Sequence, residues 1–290
     1  MNTGHNTKAL ADNTRRAKRN LALKLALEST FKRELNTYFN KVIKLFKRTY
    51  SETATIPTQN DINKATQTIL KKHYIRSNKV FRNEMRLYLL PEEKTFIFTS
   101  TKQTDDLEQE IEDTVKLASS IFITNEVPKR ASILDDTTVK NMQESVDKAN
   151  MDLAKEGKPQ TKENIIDEAS KNMKDKFDGR IGTIALTETQ FIAESTKGIE
   201  ASVVSSDASI NANTVATSVL VTNRVATKTW ATMGDDRVRD AHVFANGQKK
   251  NLLEPFVVGG EFLPYPGSFA LGASAGNVIN CRCSALYGIL

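Results

Sequence analysis

Apolar residues in the first part of the chain recur at three- and four-residue spacing. Leu21, Leu25, Phe31, Leu35, Phe39, Val42, Leu45 and Phe46 make one stripe with basic residues between them, and predict an amphipathic helix over residues 14–50. The run Thr55-Ile56-Pro57-Thr58 breaks it. A second stripe of Ile62, Ala65, Ile69, Tyr74, Val80, Phe81, Met85 and Tyr88 predicts a helix to Leu89, ended by Pro91, because the residue before a proline is pushed out of the α region. Residues 95–100 are β-branched and aromatic, the pattern of a strand or an extended connector. Three further helices are predicted at residues 105–124, 136–155 and 161–177. The first carries Leu107, Ile111, Val115 and Ala118 on one stripe; the third starts at Thr161 as N-cap and stops at Asp178-Gly179.

Residues 180–223 are rich in Ala, Ser, Thr and Ile. Ile181, Ile184, Thr187, Glu188, Phe191 and Ile192 predict a helix, followed by a small-residue segment over 207–223. The texture then changes. Residues 225–232 alternate like a strand, and eight of the 13 glycines lie after Thr232. Asn246-Gly247, between Val243-Phe244 and Lys249-Lys250, has the form of a type I′ hairpin turn, and Tyr265-Pro266-Gly267 that of a β-turn. The expected fold is α+β, with long N-terminal and central helices followed by a small turn-rich α+β module. Heptads are not sustained and no internal repeat is present, which argues against coiled coils and solenoids.

With 290 residues, 39% of them hydrophobic, the chain has apolar material for one large or two modest cores, and it is neither a disordered tail nor a fibre. Its net charge of +6 is unevenly spread: +13 over residues 1–90, −8 over 91–200 and +1 over 201–290. The organisation read from this is a basic helical region 1–90, an acidic helical region 91–179 and a C-terminal domain 180–290. A basic surface meets nucleic acid or an acidic protein, with Arg15, Arg16, Lys18, Arg19, Lys44, Lys47 and Arg48 as contact candidates; the alternative is a solvated helix face. The apolar run Leu21-Ala22-Leu23 is interrupted by Lys24 and flanked by basic residues, so it reads as neither a secretion signal nor a membrane span.

The two cysteines, Cys281 and Cys283, are one residue apart, where a mutual disulfide closes a strained ring; the chain reads as one made in a reducing cytosol. With His242 and Asp236 they form a candidate Zn²⁺ set, although one intervening residue is tighter than common zinc knuckles; buried structural thiols are the other reading. Asp236, Arg237, Arg239 and His242 share a short segment, readable as a salt-bridged corner capped by Asp236 or as an acid–base site. Trp230 is expected to plug a small core with its indole N–H on a carbonyl. His5 and His73 are isolated and carry no assignment. Phosphate-loop, dinucleotide, zincin and nucleophile-elbow motifs are absent, so the large enzyme superfamilies that use them are unsupported.

The motifs follow a definite order: Trp230-Ala231-Thr232, then Asp235-Asp236-Arg237-Val238-Arg239-Asp240-Ala241-His242, then Tyr265-Pro266-Gly267, and finally Ile279-Asn280-Cys281-Arg282-Cys283. This order resembles the Mu F-like family of phage minor head proteins, also called head morphogenesis proteins, over residues 180–290, with Arg180, Glu188 and Thr189 in the lead-in segment. The resemblance implies a virion protein of low copy number at the portal vertex inside the capsid, present in the host cytoplasm before assembly. Its implied partners are the portal protein, the major capsid or scaffolding protein and packaged double-stranded DNA bound without sequence preference, and no membrane. It implies no reaction and no required cofactor. Mu F-like modules also resemble the leader portions of phage-borne toxins, in which case Arg180, Glu188, Asp236 and His242 are the first residues to suspect of catalysis or metal-dependent chemistry. Such toxins carry a further C-terminal domain, whereas this chain ends seven residues after Cys283, so head assembly is the expected role.

Overall fold

The computed structural model describes residues 3–89, 101–214 and 226–289. Long helices α1 (Thr3–Thr53), α2 (Gln59–Leu89), α3 (Thr101–Lys155) and α4 (Lys162–Thr214) come first. A small module follows: β1 (Ala226–Ala231), α5 (Asp240–Ala245), β2 (Lys249–Asn251), β3 (Phe256–Val258), β4 (Glu261–Leu263), α6 (Ala275–Val278) and β5 (Ser284–Ile289). The fold is α+β, as the periodicity predicts. Among the described residues, no helix is long and apolar enough to cross a membrane. The expected extended run at 95–100, the Pro91 stop and the end of the small-residue segment lie outside the described residues.

Two predicted helix breaks are absent. The helices expected at 105–124 and 136–155 are one helix, α3, with Pro128 inside it. Val127, Ala131 and Leu134 are buried at helical spacing and carry the apolar stripe across the proline. Burying Val127 and Leu134 contributes about 1.5–3 kcal/mol each, enough to offset the roughly 3 kcal/mol that an interior proline costs. Likewise Asp178-Gly179 does not end α4, which continues to Thr214. Phe177 and Ala185 are buried on either side, and their burial exceeds the roughly 1 kcal/mol penalty of a helical glycine. Thr161 does cap α4: its Oγ1 accepts from the Asn164 N–H at 3.3 Å.

Packing divides the chain into two compact units, each discontinuous in sequence. One comprises Glu28–Ile75 and Phe122–Ala185. In it Phe31 stacks on His73 at 3.9 Å, and Phe39 on Phe177 at 4.5 Å. Its buried Asp135 carboxylate accepts from Thr66 at 2.5 Å and from Asn63 at 2.8 Å. Lys44, Lys47 and Arg48 are exposed on its stretch of α1, with Lys47 3.9 Å from Asp167.

The other unit comprises Met1–Leu27, Arg76–Ile121 and Leu186–Leu290, and contains the C-terminal module. Its three-stranded sheet has the order β2-β1-β5, all antiparallel, with Trp230 opposite Ala285. Strands β3 and β4 form a separate hairpin, closed by Gly259-Gly260 at φ +58° and +81°, the type I′ geometry that needs two residues tolerant of positive φ. The expected Asn246-Gly247 hairpin is not one. Val243 and Phe244 lie in α5, and Asn246 (φ −59°, ψ 130°) with Gly247 (φ +80°) makes a type II turn that leads into β2. Gly247 N–H donates to the Trp230 carbonyl at 2.8 Å, so the turn is fixed by β1 rather than by a facing strand. The core of this unit gathers Trp230, Phe256, Val258, Leu263, Val278, Cys281, Cys283, Ala285 and Tyr287 with Met85, Ile111 and Val115 from the helices.

Candidate metal centre

His242 reaches the centre from α5, whereas Cys281 and Cys283 reach it from the loop between α6 and β5. Two arginines pin these segments together. Arg282 donates to Asp235 Oδ1 at 2.7 Å, and Arg239 donates to the Ile279 carbonyl. Asp235 also shapes its own turn, accepting from the Arg237 N–H at 3.3 Å, and this interaction leads the chain into α5. Asn280 adopts the left-handed conformation at φ +58°, a geometry asparagine tolerates better than most residues, and turns the loop so that both cysteines face inward.

The three donor groups are buried and lie within 4.8 Å of one another. His242 Nδ1 is 3.4 Å from Cys283 Sγ and 3.7 Å from Cys281 Sγ. Both cysteines are free thiols. The hydrogen bond between them draws the Cys281 thiol well below its ordinary range, with further help from His242, and pushes Cys283 up. Trp230 is fully buried at 5.5 Å, edge-on, from the His242 ring. Its indole N–H has no carbonyl partner, contrary to the sequence expectation; it lies beside the Cys283 sulfur, where it favours the thiolate. The arrangement can hold a metal ion.

Other sequence candidates take different places. Asp236 is exposed and does not cap α5; the N-cap is Arg239, which makes no side-chain capping bond. Arg237 is largely exposed and lines a narrow, partly open pocket that also takes in the three donors. Tyr265-Pro266-Gly267 forms a type II turn that docks on α4: Ser195 donates to the Tyr265 hydroxyl at 2.9 Å and Gln190 to the Pro266 carbonyl at 3.2 Å. Gly267 sits at φ +83°, and a Cβ there would lie 2.8 Å from Gln190 Cγ. Gly267→Ala is therefore expected to cost about 1–3 kcal/mol in urea unfolding, combining left-handed strain with displacement of Gln190; a change within a few tenths would sink this account. Arg180 belongs to the helical unit, whereas Glu188, Asp236 and His242 belong to the other. Of the basic candidates, Arg15 and Lys18 are exposed, while Arg16 donates to the Tyr287 carbonyl at 2.6 Å and Arg19 pairs with the buried Glu84.

The sequence reading missed the side chains that hold this centre from behind. Gln190 donates to the Cys283 carbonyl at 2.7 Å, and Lys24 donates to the same carbonyl at 3.1 Å, to Ser284 Oγ at 2.9 Å and to Glu194 at 2.7 Å. Lys24 did carry a signal, since it is a cation inside an otherwise apolar run.

Comparison with family models, curated proteins and solved structures finds no match for this chain.

Proposed function

We propose that this chain is a minor head protein of a tailed phage, a Mu F-like head morphogenesis component placed at the portal vertex inside the capsid, with a structural rather than an enzymatic role. One observation carries the reading: the ordered motif residues serve a single small module. Trp230, His242, Cys281 and Cys283 form its centre, and Tyr265-Pro266-Gly267 seats it on α4. Residues spread over 54 positions of sequence, from Trp230 to Cys283, thus work as one structural part, as a shared assembly module requires. The exposed cations Arg15 and Lys18 in one unit, and Lys44, Lys47 and Arg48 in the other, suit an acidic portal surface or packaged phosphates, contacts that need no base recognition.

We further propose that the metal is Zn²⁺. Bonds of about 2.3 Å to sulfur and about 2.1 Å to nitrogen at the tetrahedral angle place N and S about 3.6 Å apart. The observed 3.4 and 3.7 Å bracket that edge. Two thiols and an imidazole also suit zinc over the hard, oxygen-seeking cations.

The assembly role is tested by quantitative mass spectrometry of purified DNA-filled and emptied particles, counting this chain against portal and capsid subunits. A few copies retained after emptying is the expected result. Loss with the DNA would make it an ejected protein, and absence from particles would overturn the reading.

A further inference from the structure

The protein supplies a metal at this centre with three donors where zinc takes four. Among the described residues, no fourth imidazole, thiol or carboxylate joins the set. The nearest turn does contain a carboxylate, Asp235, but Arg282 holds it at 2.7 Å. What faces the three donors is a narrow, partly open pocket with room for about one oxygen-sized group, lined by Met233, Val238, Arg239, Asn280 and Arg282 and by Arg237, whose side chain is largely exposed to solvent. Its charge is one-sided. Zn²⁺ with two thiolates is neutral, and the lining itself carries three guanidiniums and, among the described residues, no carboxylate, the neighbouring Asp235 being paired with Arg282.

The guanidiniums also have donors to spare. Each carries five N–H groups in a planar fork. Arg239 uses one on the Ile279 carbonyl, Arg282 one on Asp235, and the Arg237 side chain is 76% exposed with its head 3.9 Å from Asp235. A planar cationic fork beside a metal corner matches an oxyanion, which binds the metal through one oxygen and accepts hydrogen bonds through the others.

We propose, on the zinc reading above, that the fourth ligand of the metal is an exogenous oxyanion of the phosphate class, bound through one oxygen to the metal and through the rest to Arg237 and its neighbours. The same chemistry serves a free phosphate and a terminal phosphate monoester of a nucleic acid. Arg239 and Arg282 brace the pocket through Ile279 and Asp235, whereas Arg237 is free of that bracing role and is the side chain to change.

The experiment uses the full-length protein loaded with one equivalent of Co²⁺, whose visible absorption reports tetrahedral sulfur and nitrogen coordination and changes with the fourth ligand. Inorganic phosphate, titrated at constant ionic strength against chloride, is expected to shift the bands saturably, and Arg237→Ala to weaken that titration about tenfold without altering the bands of the phosphate-free protein. A 5′-phosphorylated oligonucleotide compared with its 5′-hydroxyl form then separates a strand end from free phosphate: a shift given only by the phosphorylated strand assigns the monoester, and a shift given by phosphate alone assigns the free ion. Tetrahedral bands that phosphate leaves unmoved would overturn the oxyanion and keep the metal. An undiminished titration in Arg237→Ala would overturn the guanidinium-held anion. Absence of tetrahedral bands would remove the zinc reading and the oxyanion with it.

Discussion

Stripping metal from the purified protein with a chelator is expected to lower its stability by about 4 kcal/mol relative to protein held at free zinc a thousandfold above its dissociation constant. The loss is finite rather than total, because the module has a core of its own. Trp230, Phe256, Val258, Leu263 and Tyr287 are buried together around the centre, so the donors are already gathered before any ion binds. A zinc finger lacks such a core, and there the binding energy is the folding energy. Trp230 is the only tryptophan and lies edge-on to His242, which makes its fluorescence a local reporter of this transition. Cys283→Ser should abolish the zinc-dependent part of the stability while leaving the folded emission spectrum recognisable. Identical unfolding with and without zinc, at one equivalent or more, would return Cys281 and Cys283 to buried structural thiols.

Different parts of the molecule were legible in the sequence to different degrees, for physical reasons. Helices with a one-sided apolar stripe were readable from spacing alone, because burial of Phe31, Leu35 and Phe39 follows the 3.6-residue period directly. Helix continuity across Pro128 and Gly179 was not, since local propensity argued for a stop and the packing of Val127, Leu134, Phe177 and Ala185 outweighed it. The Asn246-Gly247 dipeptide failed as a hairpin signal for a related reason: the Trp230 carbonyl, distant in sequence, decides what that turn bonds to. By contrast, Gly259-Gly260 is a local I′ signal, because two successive glycines supply the positive φ that both central positions need. At the candidate site, the donor trio His242, Cys281 and Cys283 was legible from residue type. Asp236 was not separable from them by spacing, and only the turn built on Asp235 places it outside. The supports Lys24, Gln190, Glu194 and Lys197 lie as much as 260 positions from the backbone and side-chain groups they serve, and no local pattern encodes such a pairing.

Glu194→Ala is expected to destabilise the unit containing the module by about 3–5 kcal/mol, the cost of removing one partner from a buried ion cluster. Strand β5 pairs with β1 along one edge only. Its other edge carries main-chain groups at alternate residues 283, 285 and 287, and side chains from the helices satisfy them. Gln190 and Lys24 serve the Cys283 carbonyl, Lys197 the Ala285 carbonyl at 3.0 Å, Glu194 the Ala285 N–H at 2.9 Å, and Arg16 the Tyr287 carbonyl. An edge that would otherwise invite another strand is thereby closed. Glu194 lies 2.7 Å from Lys24 and 2.7 Å from Lys197, so its removal leaves two buried cations without this counter-charge and the Ala285 N–H without its acceptor. Glu194→Gln keeps an acceptor for Ala285 but not the charge, and should cost less than Ala; adding Lys197→Met to it should recover part of the loss, measured as a coupling in urea unfolding followed by Trp230. The pH dependence has two opposed signs. The Glu194 carboxyl is held below its ordinary 4.5, burial opposing and the two lysines prevailing, so its contribution is present above that value and disappears as pH falls through the depressed one. Burial brings Lys197 down from 10.5 to about 8, so between those values the unfolded chain holds a proton that the folded chain has released, and this group's contribution rises with pH. Wild type should therefore gain stability relative to Lys197→Met from pH 8 to 10.5 and lose it relative to Glu194→Gln in acid. A Glu194→Ala protein within 1 kcal/mol of wild type would show that water, not this cluster, satisfies the free edge of β5.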